Sequence, residues 1–195
     1  NIAAGNTAYS SKDGILYNKS GETLLKCPEG KTDTCAIAKG VTTINGNAFR
    51  NCSLLTAITI PEGVTGIGGH AFSHCVVLAE ITLPESTITI ADYAFNSCTG
   101  LTAFIIPKAV TTIGTFAFSG CEVLKIMTIG EGVTSIGTSA LSNCKNLTTV
   151  QVLGKGIPEG TDVFNNSPAK VYYQPGAQGW GTFWNGKSLR PVAEQ

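Results

Sequence analysis

The chain has 195 residues, 43% of them hydrophobic and only 13% charged, so it folds instead of staying a solvated polymer, into one substantial core or a stack of small units. Thirteen basic residues balance thirteen acidic ones, which leaves nothing to draw the chain to nucleic acid or to an anionic membrane surface. No apolar run approaches the length that crosses a bilayer, and a start at Asn1 with no signal-like segment leads to the expectation that a leader has been removed.

The first element is GILYNKSGETLLK, residues 14–26, where two short apolar runs around NKSGE predict a β-hairpin capping the first strand. Cys27 and Cys35 follow, out of step with the other cysteines; in an exported protein they are candidates for a disulfide across this cap. Cys35 and Ile37 then precede Ile58 and Ile60 by 23 residues, so Cys-Ala-Ile supplies a first, degenerate strand.

From there the chain repeats. Cys52, Cys75, Cys98, Cys121 and Cys144 are each 23 residues apart, and four residues before each stands an alanine, followed by Phe49, Phe72, Phe95, Phe118 or, once, Leu141. Leu55, Leu78, Leu101, Leu124 and Leu147 come three residues after the cysteines, and Ile44, Ile67, Ile90, Ile113 and Ile136 complete the unit. So many columns at one period mark a solenoid. Within each unit L-x-x-I-x-I alternates as a short strand does, and V-T-x-I, as at 110–113, is a second strand or extended turn. A-F-x-x-C-x-x-L has apolar residues at offsets 0, 1, 4 and 7, which predicts a short helix or helical turn. Stacked units form parallel ladders about 4.8 Å apart over a continuous core.

The register persists once more at Val163 and Phe164, but Ser167 replaces the cysteine and Pro168 breaks the pattern. The segment from Lys170 concentrates Tyr172, Tyr173, Trp180, Phe183 and Trp184, as a sealing cap needs. The expected organisation is a hairpin cap over 1–34, a solenoid of five to six coils over 35–166 and a cap over 167–195, all one continuous domain.

The unit C-x-x-L-x-x-I-x-I-P-x-x-V-T-x-I-G-x-x-A-F, seen at 52–72, resembles the BspA-type leucine-rich repeats of surface and exported proteins. The resemblance covers roughly residues 35 to 166. It implies a leucine-rich-repeat-like solenoid of short parallel strands plus short helical or 3-10 turns, at a cell surface or secreted. It also implies adhesion or protein–protein interaction with a host or bacterial surface protein or polymer. The Asn ladder of the common leucine-rich consensus would fall at Gly63, Ser86, Ala109, Gly132 and Lys155, and no Asn stands there.

The stretch HAFSHC, residues 70–75, packs both histidines of the chain beside a cysteine. A metal site is not expected, because stacked side chains from successive coils do not converge tetrahedrally and Cys75 belongs to the inward column; His70 and His74 would share one edge of a short helix. The five cysteines in register read as buried, reduced thiols. No nucleophile, base and orienting group converge, so no catalytic residue and no cofactor are expected.

What remains is surface. The outward strand column is Thr59, Thr82, Ile105, Thr128 and Gln151, with Ile126 beside it, and such a weakly charged face suits a macromolecular partner. The same residues are also simply good strand formers. A second column carries His70, Tyr93 and Phe116, which either form an exposed aromatic ridge suited to a sugar ring or an apolar side chain, or seal the coil edge. Alternatives to a protein-binding module are therefore a structural spacer in a larger surface protein and a carbohydrate-binding module.

Overall fold

A computed structural model describes residues 6–156, 158–177 and 183–191. At the N-terminal end β1 (Tyr9–Lys12), β2 (Ile15–Asn18) and β3 (Thr23–Lys26) pair antiparallel. The β2–β3 hairpin is the one expected; β1 extends it through Asp13 and Gly14, whose φ values of 53° and 81° make the two-residue left-handed turn that Asp-Gly favours.

The coils then supply two strands each. One series is β5 (Thr43–Ile44), β7 (Gly66–Ile67), β9 (Thr89–Ile90), β11 (Thr112–Ile113) and β13 (Ser135–Ile136), the V-T-x-I segments, which continue the hairpin as one eight-stranded sheet. The other holds the longer strands: β4 (Asp33–Ala36), β6 (Leu55–Thr59), β8 (Glu80–Thr82), β10 (Ala103–Ile105), β12 (Ile126–Ile129) and β14 (Thr149–Val152). Pairing is parallel and in the 23-residue register, as in Cys35 opposite Ile58 and Met127 opposite Val150. After β14 come β15 (Lys170–Tyr173), β16 (Phe183–Trp184) and β17 (Lys187–Pro191); β17 pairs parallel to β15 and antiparallel to β16. Trp184, 7% exposed, packs edge-on against Phe164 at 5.3 Å and closes this end of the core. Trp180 lies outside the described residues.

Of the short helix or helical turn expected over A-F-x-x-C, the turns form, each closed by a bond three residues back, and among the described residues there is no helix. Two residues of each coil adopt left-handed backbone, one column recurring every 23 residues from Asn47 to Asn185 and another from Asn51 to Asn166. They break the segment into successive turns. Its N–H groups then split their loyalties. Those of Ala71, Ser73 and Cys75 donate three residues back, to Gly68, His70 and Phe72, at 3.1 Å each, whereas those of His70, Phe72 and His74 donate to Asp92, Ala94 and Asn96 of the next coil at 2.7–3.0 Å. A third inter-coil ladder thus takes the donors that a helix would have used internally. Successive backbones approach closely here: a β-carbon at Gly137 would lie 2.3 Å from the Thr115 nitrogen, which explains why only glycine fits.

The core is a set of columns. The rings of Phe49, Phe72, Phe95 and Phe118 stack at 5.0–5.1 Å, all fully buried, each contributing roughly 1.5–3 kcal/mol of apolar burial. Beside them the thiols of Cys75, Cys98, Cys121 and Cys144 donate to the carbonyls of Phe49, Phe72, Phe95 and Phe118, 26 residues back, at 3.0–3.3 Å. Burial pushes the thiols of Cys75 and Cys144 up to about 12 and those of Cys98 and Cys121 well above their ordinary value, so all four are neutral packing groups. Ser167 takes the next place: its hydroxyl donates to Leu141 O at 2.5 Å and accepts from Cys144 N–H at 3.0 Å.

One discontinuity divides the molecule. β4, β6 and β8 form one sheet, and β10 begins another, so no ladder joins β8 to β10. At this seam Phe104 stands in a column otherwise filled by Ile58, Ile81, Met127 and Val150, wedged edge-on between Phe95 and Phe118 at 5.0 and 4.8 Å. Across the seam the β9–β11 pairing, the Phe72–Phe95 stack and the turn ladder are intact.

Candidate binding face

Alternation along the long strands sends Ile58, Phe104, Met127 and Val150 inward and sets the residues between them toward solvent. Thr59 and Thr82 are exposed, Thr128 and Gln151 half-buried, and Ile105 and Ile126 are 69% and 47% exposed. Register places Ile105 opposite Thr128 and Ile126 opposite Ala103. The two isoleucines are therefore diagonal neighbours on adjacent strands, about 8 Å apart at the strand and residue spacings of a parallel sheet. Leu153, 37% exposed, extends the apolar area along a hollow of about 370 Å³ that Ile105, Pro107, Lys108 and Glu131 also line.

The seam splits this face into unlike halves. On the three-stranded side a hollow of about 440 Å³ is floored by Ala57, Thr59 and Thr82 and edged by Glu62, Glu80 and Glu85. On the other side the apolar residues dominate, and the seam itself is a shallow cleft of about 190 Å³ between Thr82 and Ile105.

The second column is a stack. His70 and Tyr93 lie 4.6 Å apart at 5°, Tyr93 and Phe116 5.1 Å apart at 18°, and all three are half-buried. Stacking covers both faces of Tyr93 and one face each of His70 and Phe116. His74, one left-handed turn away, is exposed and outside the stack. Cys75 points inward at 0% exposure, and among the described residues no group of three or more His, Cys, Asp or Glu side chains has the geometry to hold a metal ion. The terminal Tyr172 and Tyr173 are half-buried, and Trp184 is spent on the core.

Cys27 and Cys35, both buried, do lie together, and the structure adds Cys52, which spacing had assigned to the inert column. The signal was obscured because Cys27 precedes Cys52 by 25 residues, not 23.

The six-copy BspA type leucine-rich-repeat region matches residues 31–169. The chain belongs to this family. Several proteins of known structure resemble it along much of its length. A leucine-rich cell surface protein from Faecalibacterium prausnitzii is 33% identical over 76% of this chain, with a TM-score of 0.72. The pneumococcal vaccine antigen PcpA is 24% identical, with a TM-score of 0.76 over 99% of the chain. A leucine-rich-repeat protein of T. pallidum, 22% identical, has a TM-score of 0.64 over 89% of the chain and 86% of its own length. The last two show the fold alone. The chain spans 40% and 49% of the length of the first two. No curated protein matches it. Among the described residues no helix is long and apolar enough to cross a membrane.

Proposed function

We propose that the chain is an extracellular or surface-attached, non-catalytic binding module that presents the β10–β12 face to a surface protein or polymer of a host or of another bacterium. The carrying observation is the exposure of Ile105 and Ile126 as diagonal neighbours on a parallel ladder. The surface location rests on the family and on the F. prausnitzii relative, whose description is that of a cell surface protein. A binding role in place of a catalytic one is supported by the histidines: His70 belongs to the ring stack and His74 to an exposed turn.

Full burial of an isoleucine is worth roughly 1.5–3 kcal/mol, so covering the remaining 69% and 47% is worth about 3 kcal/mol, on the order of a hundredfold in affinity. Immobilised chain is exposed to solubilised host and bacterial surface proteins and polymers, alongside the Ile105→Asp/Ile126→Asp double variant. The double variant is expected to lose the bound species while keeping its thermal midpoint. Equal retention by both chains rules the face out.

A further inference from the structure

The thiols of the cap differ from those of the column. Cys75, Cys98, Cys121 and Cys144 each have a carbonyl 26 residues back as private acceptor, and none is in hydrogen-bonding contact with another thiol. Cys52, the fifth in register, instead reaches Pro28 O at 3.6 Å, the same oxygen that Cys27 Sγ reaches at 3.7 Å. Sharing that oxygen brings the Cys27 and Cys52 sulfurs together, and Cys27 also interacts with the buried thiol of Cys35. A sulfur forms one disulfide at a time, so Cys27 can bond to only one of these two neighbours. All three cysteines are buried, and the connection 28–32, whose Pro28 oxygen touches two of the sulfurs, is exposed apart from half-buried Lys31. Opening that connection leaves the β4–β6 ladder paired.

We propose that Cys27 is the shared member of a redox site, bonding covalently to Cys35 or to Cys52 in mutually exclusive disulfides, by exchange with a disulfide reagent that enters through the 28–32 connection. The thiolate of Cys35 or Cys52 attacks one sulfur of the reagent RSSR, breaks its S–S bond and releases one thiol RSH. The Cys27 sulfur then attacks the protein sulfur of the mixed disulfide, forms the intramolecular bond and releases the second RSH. Two protein thiols and one RSSR become one protein disulfide and two RSH; the two electrons pass to the reagent and no proton is left over.

The electrostatics agree with this division of labour. Contact with Cys35 and Cys52, together with burial, raises the Cys27 thiol, and the Cys27 hydrogen bond lowers both partners, which makes them the first to ionise. The two bridges do different things. Cys27 directly follows β3 and Cys35 lies in β4, so their bond closes the cap's own loop across the two sheets. A Cys27–Cys52 bond ties the cap to the turn of the next coil.

The test treats the reduced 195-residue chain with oxidised glutathione, blocks remaining thiols with N-ethylmaleimide, and maps tryptic peptides without reduction. Cys27 falls in peptide 27–31, Cys35 in 32–39 and Cys52 in 51–108. The expected result for the wild-type chain is 27–31 linked to 32–39 or to 51–108 through Cys52. In Cys35→Ser all linkage moves to Cys52, in Cys52→Ser all of it to Cys35, and in Cys27→Ser there is none. No linkage in the wild-type chain under conditions that oxidise a peptide dithiol overturns the proposal. So does a Cys35–Cys52 link in Cys27→Ser, or a link through Cys75 or Cys98. The wild-type map needs no variant to fold, and circular dichroism of each reduced variant checks the rest.

Discussion

Replacing Phe95 by alanine tests whether the seam between β8 and β10 is the weak joint of the solenoid. Phe95 is fully buried and touches three rings: Phe72 across the seam at 5.0 Å, Phe118 at 5.0 Å and Phe104 at 5.0 Å. Phe→Ala in a core costs about 3–5 kcal/mol, and ring pairs add about 0.5–1.5 kcal/mol each, so the loss lies at the upper end, about 5 kcal/mol. Solenoid stability is a sum of units and nearest-neighbour interfaces. The interface across the seam already lacks one ladder. At roughly 0.05–0.15 kcal/mol per residue, a piece of roughly 90 residues on the N-terminal side holds about 5–14 kcal/mol, so a 5 kcal/mol loss at its boundary uncouples it. Urea unfolding is followed by far-ultraviolet circular dichroism, which sees all coils, and by tryptophan fluorescence, which sees only the C-terminal end because both tryptophans, Trp180 and Trp184, lie there. The two curves are expected to coincide in the wild type and in Phe118→Ala, and to separate in Phe95→Ala, with circular dichroism falling first. Superimposable curves in Phe95→Ala, shifted together by the full loss, refute the seam as a weak joint.

Ser167→Ala leaves Cys144 N–H without its acceptor and Leu141 O without its donor, both buried, and is expected to cost about 1–3 kcal/mol by urea denaturation, whereas Ser167→Cys, which restores the column, should stay within about 1 kcal/mol. The raised thiols of the column also set a pH dependence. Unfolded thiols ionise near 9.0, folded Cys75 and Cys144 at about 12, and folded Cys98 and Cys121 well above their ordinary value, so stability is full below pH 9 and falls as the pH rises above it. At pH 10 each thiol that stays neutral in the fold removes about 1.4 kcal/mol, so the four remove about 6 kcal/mol together. Denaturation midpoints at pH 8 and pH 10 should therefore differ by roughly half as much in Cys98→Ala/Cys121→Ala as in the wild type; an unchanged difference contradicts the assignment.

Much of the architecture was legible because each inward position repeats a residue of one kind. Phe49 to Phe118, Cys52 to Cys144 and Ile44 to Ile136 state the period, and alternation at Ile58 and Ile60 states the strand. Helix and helical turn could not be told apart because offsets 0, 1, 4 and 7 are inward in a stack of turns as well as in a helix. The corrective signal lay in the left-handed columns: Asn51, Ser97, Gly120, Asn143 and Asn166 include residues that tolerate that backbone, but His70, Tyr93 and Phe116 conceal the neighbouring column. β1 was missed although Asp13-Gly14 marks its turn. The seam had a single trace, an aromatic Phe104 among aliphatics, and no period reveals what one odd residue does to its neighbours. The outward face was readable as a list of residues, since alternation alone orients Ile105 and Ile126, but its division into an acidic and an apolar half depends on how Pro84, Pro107 and the turns fold around it.

The inter-coil ladders have a genetic corollary. Backbone bonds between coils recur at the same position of each repeat, as when Thr65 N–H donates to Thr42 O and Thr111 N–H to Ile88 O, or His70 N–H to Asp92 O and Tyr93 N–H to Thr115 O. A duplication or deletion of 23 residues, 69 nucleotides, therefore reproduces each partner in kind and changes the stack by ~4.8 Å, while a length that is not a multiple of 23 takes the coil that carries it out of register with its neighbours. Recombination between repeats is cheapest where the fewest bonds must be remade, and that place is the seam between β8 and β10. Such an exchange joins one outward half to another without altering the core of either.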